Sequence, residues 1–164
     1  MTELSHSAVD RVREALAGHG IDAEIVWFDD AVTTAQLAAD ALDVEAAQIA
    51  NSLVFTIDDE PILVMTSGSH RVDTEWLGQQ LGGVIRRASK ETVKAATGQV
   101  IGGVAPLGHP APVRTIVDVQ LADYAVVWAA AGHAKTVFPT SFDELVRITG
   151  GTPSAVEPPA SAVA

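Results

Sequence analysis

Apolar residues at Ala8, Val9, Val12 and Leu16 fall three and four apart, which predicts an amphipathic helix from Ser5 to Leu16, closed by Gly18 and Gly20. Ala23 to Phe28 reads as a strand. Thr33 or Thr34 can cap a helix through AQLAADAL, and Asp43 can cap another through VEAAQIA. Two β-rich runs, Ser52 to Ile57 and Pro61 to Thr66, are joined by Asp58-Asp59-Glu60 and predict a hairpin. Asp73 begins a helix to Leu81, Ile85 lies in a short strand, and Ser89 opens the helix KETVKAAT, ended by Gly98. Further strands are predicted at Arg114 to Val119, Tyr124 to Ala129 and Thr136 to Phe138. Ser141-Phe142-Asp143-Glu144 has the form of a capping box that opens a last helix to Ile148. Helices and strands alternate irregularly, with several hairpin-like pairs, so an α+β fold on a mixed sheet fits better than a doubly wound parallel one. Residues 1–151 form the expected domain, and the Pro/Ala-rich residues 152–164 are expected to be disordered.

One stretch does not fit this alternation. Residues 98–110 read GQVIGGVAPLGHP, with four glycines, two prolines and one histidine. It contains no G-x-G-x-x-G and no G-K-[ST], so it is neither a Rossmann fingerprint nor a P-loop. Gly102 and Gly103 carry no Cβ and let a ligand approach their amides, while Pro106 and Pro110 fix φ and remove donors. Such a loop suits recognition of a carbonyl or ester oxygen by backbone groups. A β-bulge followed by a rigid connection fits the same composition.

Charge and composition narrow the setting. The chain has 164 residues, 48% of them hydrophobic, enough for one domain with a sizeable core. It has no cysteine, hence no disulfide and no thiolate chemistry. No apolar run reaches the roughly 18 residues of a membrane span, and MTELSHSAVDRVREAL lacks the order of a signal peptide. A soluble cytoplasmic protein is expected. The net charge of −11 argues against general affinity for nucleic acid. From Arg71 to Lys94, however, Arg71, Arg86, Arg87, Lys90 and Lys94 oppose Asp73, Glu75 and Glu91, so the window is +5 − 3 = +2 and the remainder −13. That window is either a solvated face or a local phosphate-contacting patch. His70, His109 and His133 have no metal-ligand spacing, so neither metal nor cofactor is expected. No nucleophile elbow is present, and Trp27, Trp76 and Trp128 read as packing residues.

The order TTAQLAADAL, QIANSLVFTIDDEPILVMTSGSHRVD, GQVIGGVAPLGHP and AAGHAKTVFPTSFDELVRITGG resembles the YbaK/prolyl-tRNA synthetase-associated domain family over roughly residues 20 to 150. The GGVAPLGHP loop is the most specific element. The resemblance implies a compact α/β fold on a mixed, partly barrel-like sheet. It also implies hydrolysis of the ester joining a wrong amino acid to the 3′-terminal adenosine of a tRNA. Known members remove alanine or cysteine from tRNA for proline. Their loop amides hold the aminoacyl carbonyl, and the tRNA's own terminal hydroxyls help to position water.

Carried onto this chain, the resemblance makes Gly102, Gly103, Asn51 and His133 the catalytic candidates. Ser52, Val104, Ala105, Pro106, Gly108, His109 and Gly132 become substrate-contacting candidates. The basic window would contact the acceptor end of an aminoacyl-tRNA, and an aminoacyl-tRNA synthetase is a further candidate partner. The family pattern on the second strand is usually Lys-Ser-Leu, whereas this chain has Asn51-Ser52-Leu53. Either Asn51 supports a variant site, or another cation fills the role, or the protein binds without efficient hydrolysis. His133 reads equally as a pocket residue or a surface loop histidine.

Overall fold

The computed structural model describes residues 7–158. The first helix, α1 (Ser7–Gly18), buries the predicted stripe of Ala8, Val9, Val12 and Leu16; its expected first two residues lie outside the described range. There follow β1 (Val26–Trp27), α2 (Ala35–Leu42), β2 (Ile49–Ile57), β3 (Glu60–Ser67), α3 (Thr74–Leu81), β4 (Ile85–Arg87) and α4 (Lys90–Thr97). The last described elements are β5 (Arg114–Asp118), β6 (Val127–Ala129), β7 (Thr136–Thr140), α5 (Phe142–Thr149) and β8 (Thr152–Ser154).

Polar caps set most helix starts. The side chains of Thr34, Asp73, Ser89 and Ser141 accept from the amides of Leu37, Trp76, Thr92 and Glu144, which satisfies donors that a helix leaves unpaired. Glu144 turns to the Thr140 hydroxyl, 2.8 Å away. Asp43 behaves differently from its sequence reading. It ends α2 in the left-handed conformation, φ 57°, and the stretch after it forms a single 3₁₀ turn, Ala46–Gln48, before β2 begins. An aspartate tolerates that conformation better than most residues, so one short polar side chain suits either end of a helix.

The sheet is mixed, in the order β1-β7-β6-β2-β3-β5-β8, with β4 also pairing with β2. β2 and β3 form the predicted hairpin through the two-residue turn Asp58-Asp59, both at positive φ (48° and 71°). One face carries Ala50, Val54, Leu63, Met65 and Val117 against α1, α4, α5 and the glycine-rich loop. The other carries Phe55, Ile57, Ile62, Val64 and Ile116 against Leu77 of α3 and Val156. Ala38 and Ala39 of α2 pack on Ile49.

The folded part continues past Gly151, against the expectation of a disordered tail from residue 152. Thr152–Ser154 pairs in parallel with Ile116, Val117 and Asp118. Val156 is fully buried, and its carbonyl accepts from Asp73 N at 2.9 Å. The reason is local: β5 offers an edge, and Pro153 is tolerated because an edge strand need not donate on its outer side. Residues 159–164 lie outside the described range.

Candidate functional site

The sheet is split beside β2. On one side of that strand, β6 pairs only with Ile49 and Ala50, and β4 only with Phe55, Thr56 and Ile57. Among the described residues no strand pairs with Asn51 to Val54 on that side. Ile49 O accepts from Gly68 N on the β3 side, and backbone groups alternate in direction along a strand. Ser52 and Val54 therefore turn their N–H and C=O groups into the gap.

Two connected spaces occupy it. The larger cleft, about 350 Å³, is lined by Thr33, Asn51 to Phe55, Arg87, Ala88, Val93, Ile101, Gly102 and Val104. The smaller chamber, about 30 Å³, shares Thr33, Asn51, Ser52, Gly102 and Val104 and adds Ala38, Ala50, Trp128, Ala130, Thr136 and other small or apolar groups. Arg87 is the single ionisable residue in the two linings. Asn51 sits at the junction, half-buried, and its carboxamide makes no hydrogen bond among the described residues. In the β2–β3 ladder it lies opposite Thr66.

The glycine-rich loop forms the facing wall. Gly102 has φ 92°, and a Cβ there would lie 3.3 Å from Thr33 Cγ2. Gly103 is packed against the turn after β6: a Cβ on it would lie 2.6 Å from His133 C and 2.7 Å from Ala134 N. Its amide donates to Val100 O at 3.1 Å, so it is committed within the loop and is not the free donor expected from sequence. The amides of Gly102 and Val104, by contrast, make no hydrogen bond among the described residues. Ala105 is fully buried, and its amide donates to Gln99 Oε1 at 2.7 Å. Gln99 is itself only 2% exposed. Sequence reasoning passed over it, since a glutamine between glycine and valine carries no visible signal.

The remaining candidates divide. Asn51, Ser52, Gly102, Val104 and Arg87 meet at the cleft. Pro106, Gly108 and His109 line a separate depression on the other side of the loop, with His19 and Arg147. Gly132, φ 103°, packs on the backbone of Ala8. His133 lies behind Gly103; its ring is 5.1 Å from that of Trp27, and its Nδ1 accepts from Lys135 N at 3.0 Å. Of the basic residues, β4 sends Arg86 and Arg87 to opposite faces, so only Arg87 reaches the cleft. Lys90 and Lys94 are exposed on α4, which borders the cleft through Val93. Arg71 is exposed in the connection between β3 and α3, outside the cleft lining.

His109 Nε2 lies 2.9 Å from Ala105 O. Burial pushes this imidazole below the ordinary histidine value of 6.5, partly opposed by the bond to the Ala105 carbonyl. The unfolded chain thus binds a proton more readily than the folded one. Stability is complete above about pH 6.5 and is lost as the pH falls through that value toward the folded pKa. His109→Gln keeps a donor but does not titrate. Its unfolding free energy, measured by denaturant titration from pH 7.5 to 5, should fall less steeply than that of the parent. Equal slopes would place the acid sensitivity elsewhere.

Comparison with known proteins identifies the family and its fold. The aminoacyl-tRNA editing domain family matches residues 29–148, and the chain belongs to that family. It is 29% identical over 123 residues to the uncharacterized protein YwhH of Bacillus subtilis, covering 74% of this chain and 78% of the other. It is 30% identical over 109 residues to the proline–tRNA ligase of Lactobacillus acidophilus, covering 66% of this chain but 19% of the ligase. The chain therefore spans about a fifth of that ligase's length. The solved structure of a candidate trans-editing enzyme for prolyl tRNA synthetase superposes with a TM-score of 0.88 at 33% identity, covering 94% of this chain and 99% of the other. The mixed α/β single-domain fold is thus that of the family. Among the described residues no helix is long and apolar enough to cross a membrane, and no group of three or more His, Cys, Asp or Glu could hold a metal ion.

Proposed function

We propose that the protein hydrolyses the ester of a mischarged aminoacyl-tRNA carrying a small amino acid. The observation that carries this reading is the bare backbone edge at Ser52 and Val54, which lines one cleft together with Gly102 and Val104, whose amides are uncommitted among the described residues, and adjoins a small chamber. The amino-acid side chain enters the chamber, whose volume of about 30 Å³ is a few times the roughly 10 to 15 Å³ that a single water needs on the same measure, and suits a small side chain. The carbonyl oxygen lies against the loop amides. Water adds to the carbonyl carbon, and the amides stabilise the oxyanion. The bond to the ribose oxygen then breaks, and the proton given up by the water ends on that oxygen. With no carboxylate or histidine in the lining, side chains provide no general base. The terminal ribose hydroxyls of the substrate position the water instead. Arg87 supplies the positive charge that Asn51 lacks and contacts a phosphate near the acceptor end.

The same absence of acid–base side chains also favours a second reading, in which the cleft binds aminoacyl-tRNA without turnover. Incubation with tRNAs mischarged with alanine, serine, cysteine or a large amino acid separates the two. Release of small amino acids only is the result expected of the first reading. Binding with no release of any amino acid supports the second.

The charge distribution yields a further expectation. Arg87→Gln with Lys90→Gln should weaken tRNA binding alike for different tRNA sequences, because phosphate contacts carry no base information. The slope of log K against log salt should flatten by about 0.7 to 0.9 for each phosphate that is no longer neutralised. Hydrolysis of an aminoacyl-adenosine, which lacks the phosphates, should change little. An equal fall in rate on both substrates would assign these residues to the pocket or the fold.

A further inference from the structure

The loop at the cleft is held from behind by groups that never touch the cleft. Gln99 follows the C-cap of α4 and is buried, 2% exposed, beneath the loop. Its own backbone is fixed first: Gln99 N donates to Thr97 Oγ1 at 3.0 Å, and the same hydroxyl lies 3.2 Å from Gln99 O and donates to Val93 O at 2.7 Å. From this anchored position the carboxamide reaches across the loop in both directions. Oε1 accepts from Ala105 N at 2.7 Å, and Nε2 donates to Leu107 O at 3.3 Å. The carbonyl of the same residue, in the next peptide group, is held by His109, whose Nε2 lies 2.9 Å from Ala105 O.

We propose that Gln99 is the positioning residue of the loop, fixing the Gly102–Val104 backbone against the open edge of β2. The inference rests on the hydrolytic reading above and adds a residue to it. A buried amide with both ends satisfied is a rigid strut, because breaking either bond leaves a buried backbone group unpaired. Val104 directly precedes the clamped Ala105 amide, so loss of the strut frees the amide proposed to hold the substrate oxygen. Other buried side chains of similar size, such as Leu77 or Ile116, fill space alone. Gln99 fills space and also sets the direction of two backbone groups.

Gln99→Leu keeps the volume and removes both bonds. Gln99→Glu keeps the acceptor for Ala105 N but as a carboxylate cannot donate to Leu107 O; protonation restores that donor. Two measurements on the full chain decide the matter. The first is amide exchange of the unliganded protein. The Ala105 amide should exchange at least tenfold faster in Gln99→Leu, with exchange in β2 and β3 unchanged. The second is hydrolysis of an alanylated tRNA. Here kcat should fall at least tenfold in Gln99→Leu while KM moves less than twofold, since the tRNA contacts are untouched. Relative to the parent, Gln99→Glu should regain activity as the pH is lowered, and Gln99→Leu should not.

Unchanged Ala105 exchange, or equal acceleration throughout the sheet, overturns the assignment. So does a loosened loop with full kcat. If Gln99→Leu does not fold, the pH recovery of Gln99→Glu and its Ala105 exchange decide the question. Absence of hydrolysis by the unaltered protein would sink the functional reading alone, and the exchange measurement would still settle what holds the loop.

Discussion

Gly103→Ala should be the most damaging single-methyl change in the loop, lowering both stability and hydrolysis. The added Cβ would lie 2.6 Å from His133 C and 2.7 Å from Ala134 N. Both are backbone atoms, so no side chain can rotate away to relieve the contact. The turn they belong to is itself fixed, because Thr136 Oγ1 donates to His133 O at 2.7 Å and accepts from Ala131 N at 3.1 Å. The loop must therefore move away from the turn. Overpacking of this kind costs about 3 kcal/mol, which in a domain of this size lowers Tm by about 6 to 12 °C. Gly102→Ala meets only the Thr33 methyl group at 3.3 Å, although its φ of 92° disfavours a side chain. It should cost about 1 kcal/mol and yet reduce hydrolysis, because Gly102 lines the cleft. Thermal melts and deacylation rates of the two variants check this ordering. If Gly103→Ala melts with the parent protein, the close approach to residues 133–134 does not govern the loop.

The contrast between these neighbours shows what the sequence made legible. The unusual density of glycine and proline marked the loop. It did not reveal that one glycine serves the cleft and the other serves packing, since that depends on a turn thirty residues away in the chain. Helix ends were readable wherever a polar cap is followed by a periodic apolar face, as at Thr34, Asp73, Ser89 and Ser141. Asp43 misled because its side chain suits either helix end. The segment from Thr152 to Val156 misled because its partners, Ile116 to Asp118, are remote in sequence and its composition is that of a tail. Arg87 could be named as a cation but not separated from Arg86, a distinction that exists only once β4 is registered on β2. Gln99 was invisible for the same reason: its role is a pair of bonds to residues six and eight positions later.

Asn51→Leu should lower kcat by about 10²- to 10³-fold while leaving the fold as stable as before or slightly more so. Asn51 lies on β2 between Ile49, which packs with α2, and Leu53, which packs on the cluster around α3. A purely structural residue at this seam between two apolar clusters would gain nothing from a carboxamide. Asn51 nevertheless places one there, half-buried, with no partner among the described residues, at the junction of cleft and chamber. A carboxamide that lines open space and is not engaged by the fold has its donor and acceptor available to a ligand. If the Asn51 carboxamide donates to the developing oxyanion alongside the loop amides, its removal has an effect of the size given above. Leucine matches the shape of asparagine closely enough for KM to change little. Asn51→Lys introduces the lysine that the family resemblance implies at this position and should raise the hydrolysis of at least one small aminoacyl-tRNA. The ammonium would act with Arg87 on a substrate that brings its own phosphates. Single-turnover deacylation of the three proteins, alongside their denaturant midpoints, tests the assignment. Equal rates in all three would remove Asn51 from the site. A loss of stability in Asn51→Leu matching its loss of rate would make Asn51 a structural residue of β2.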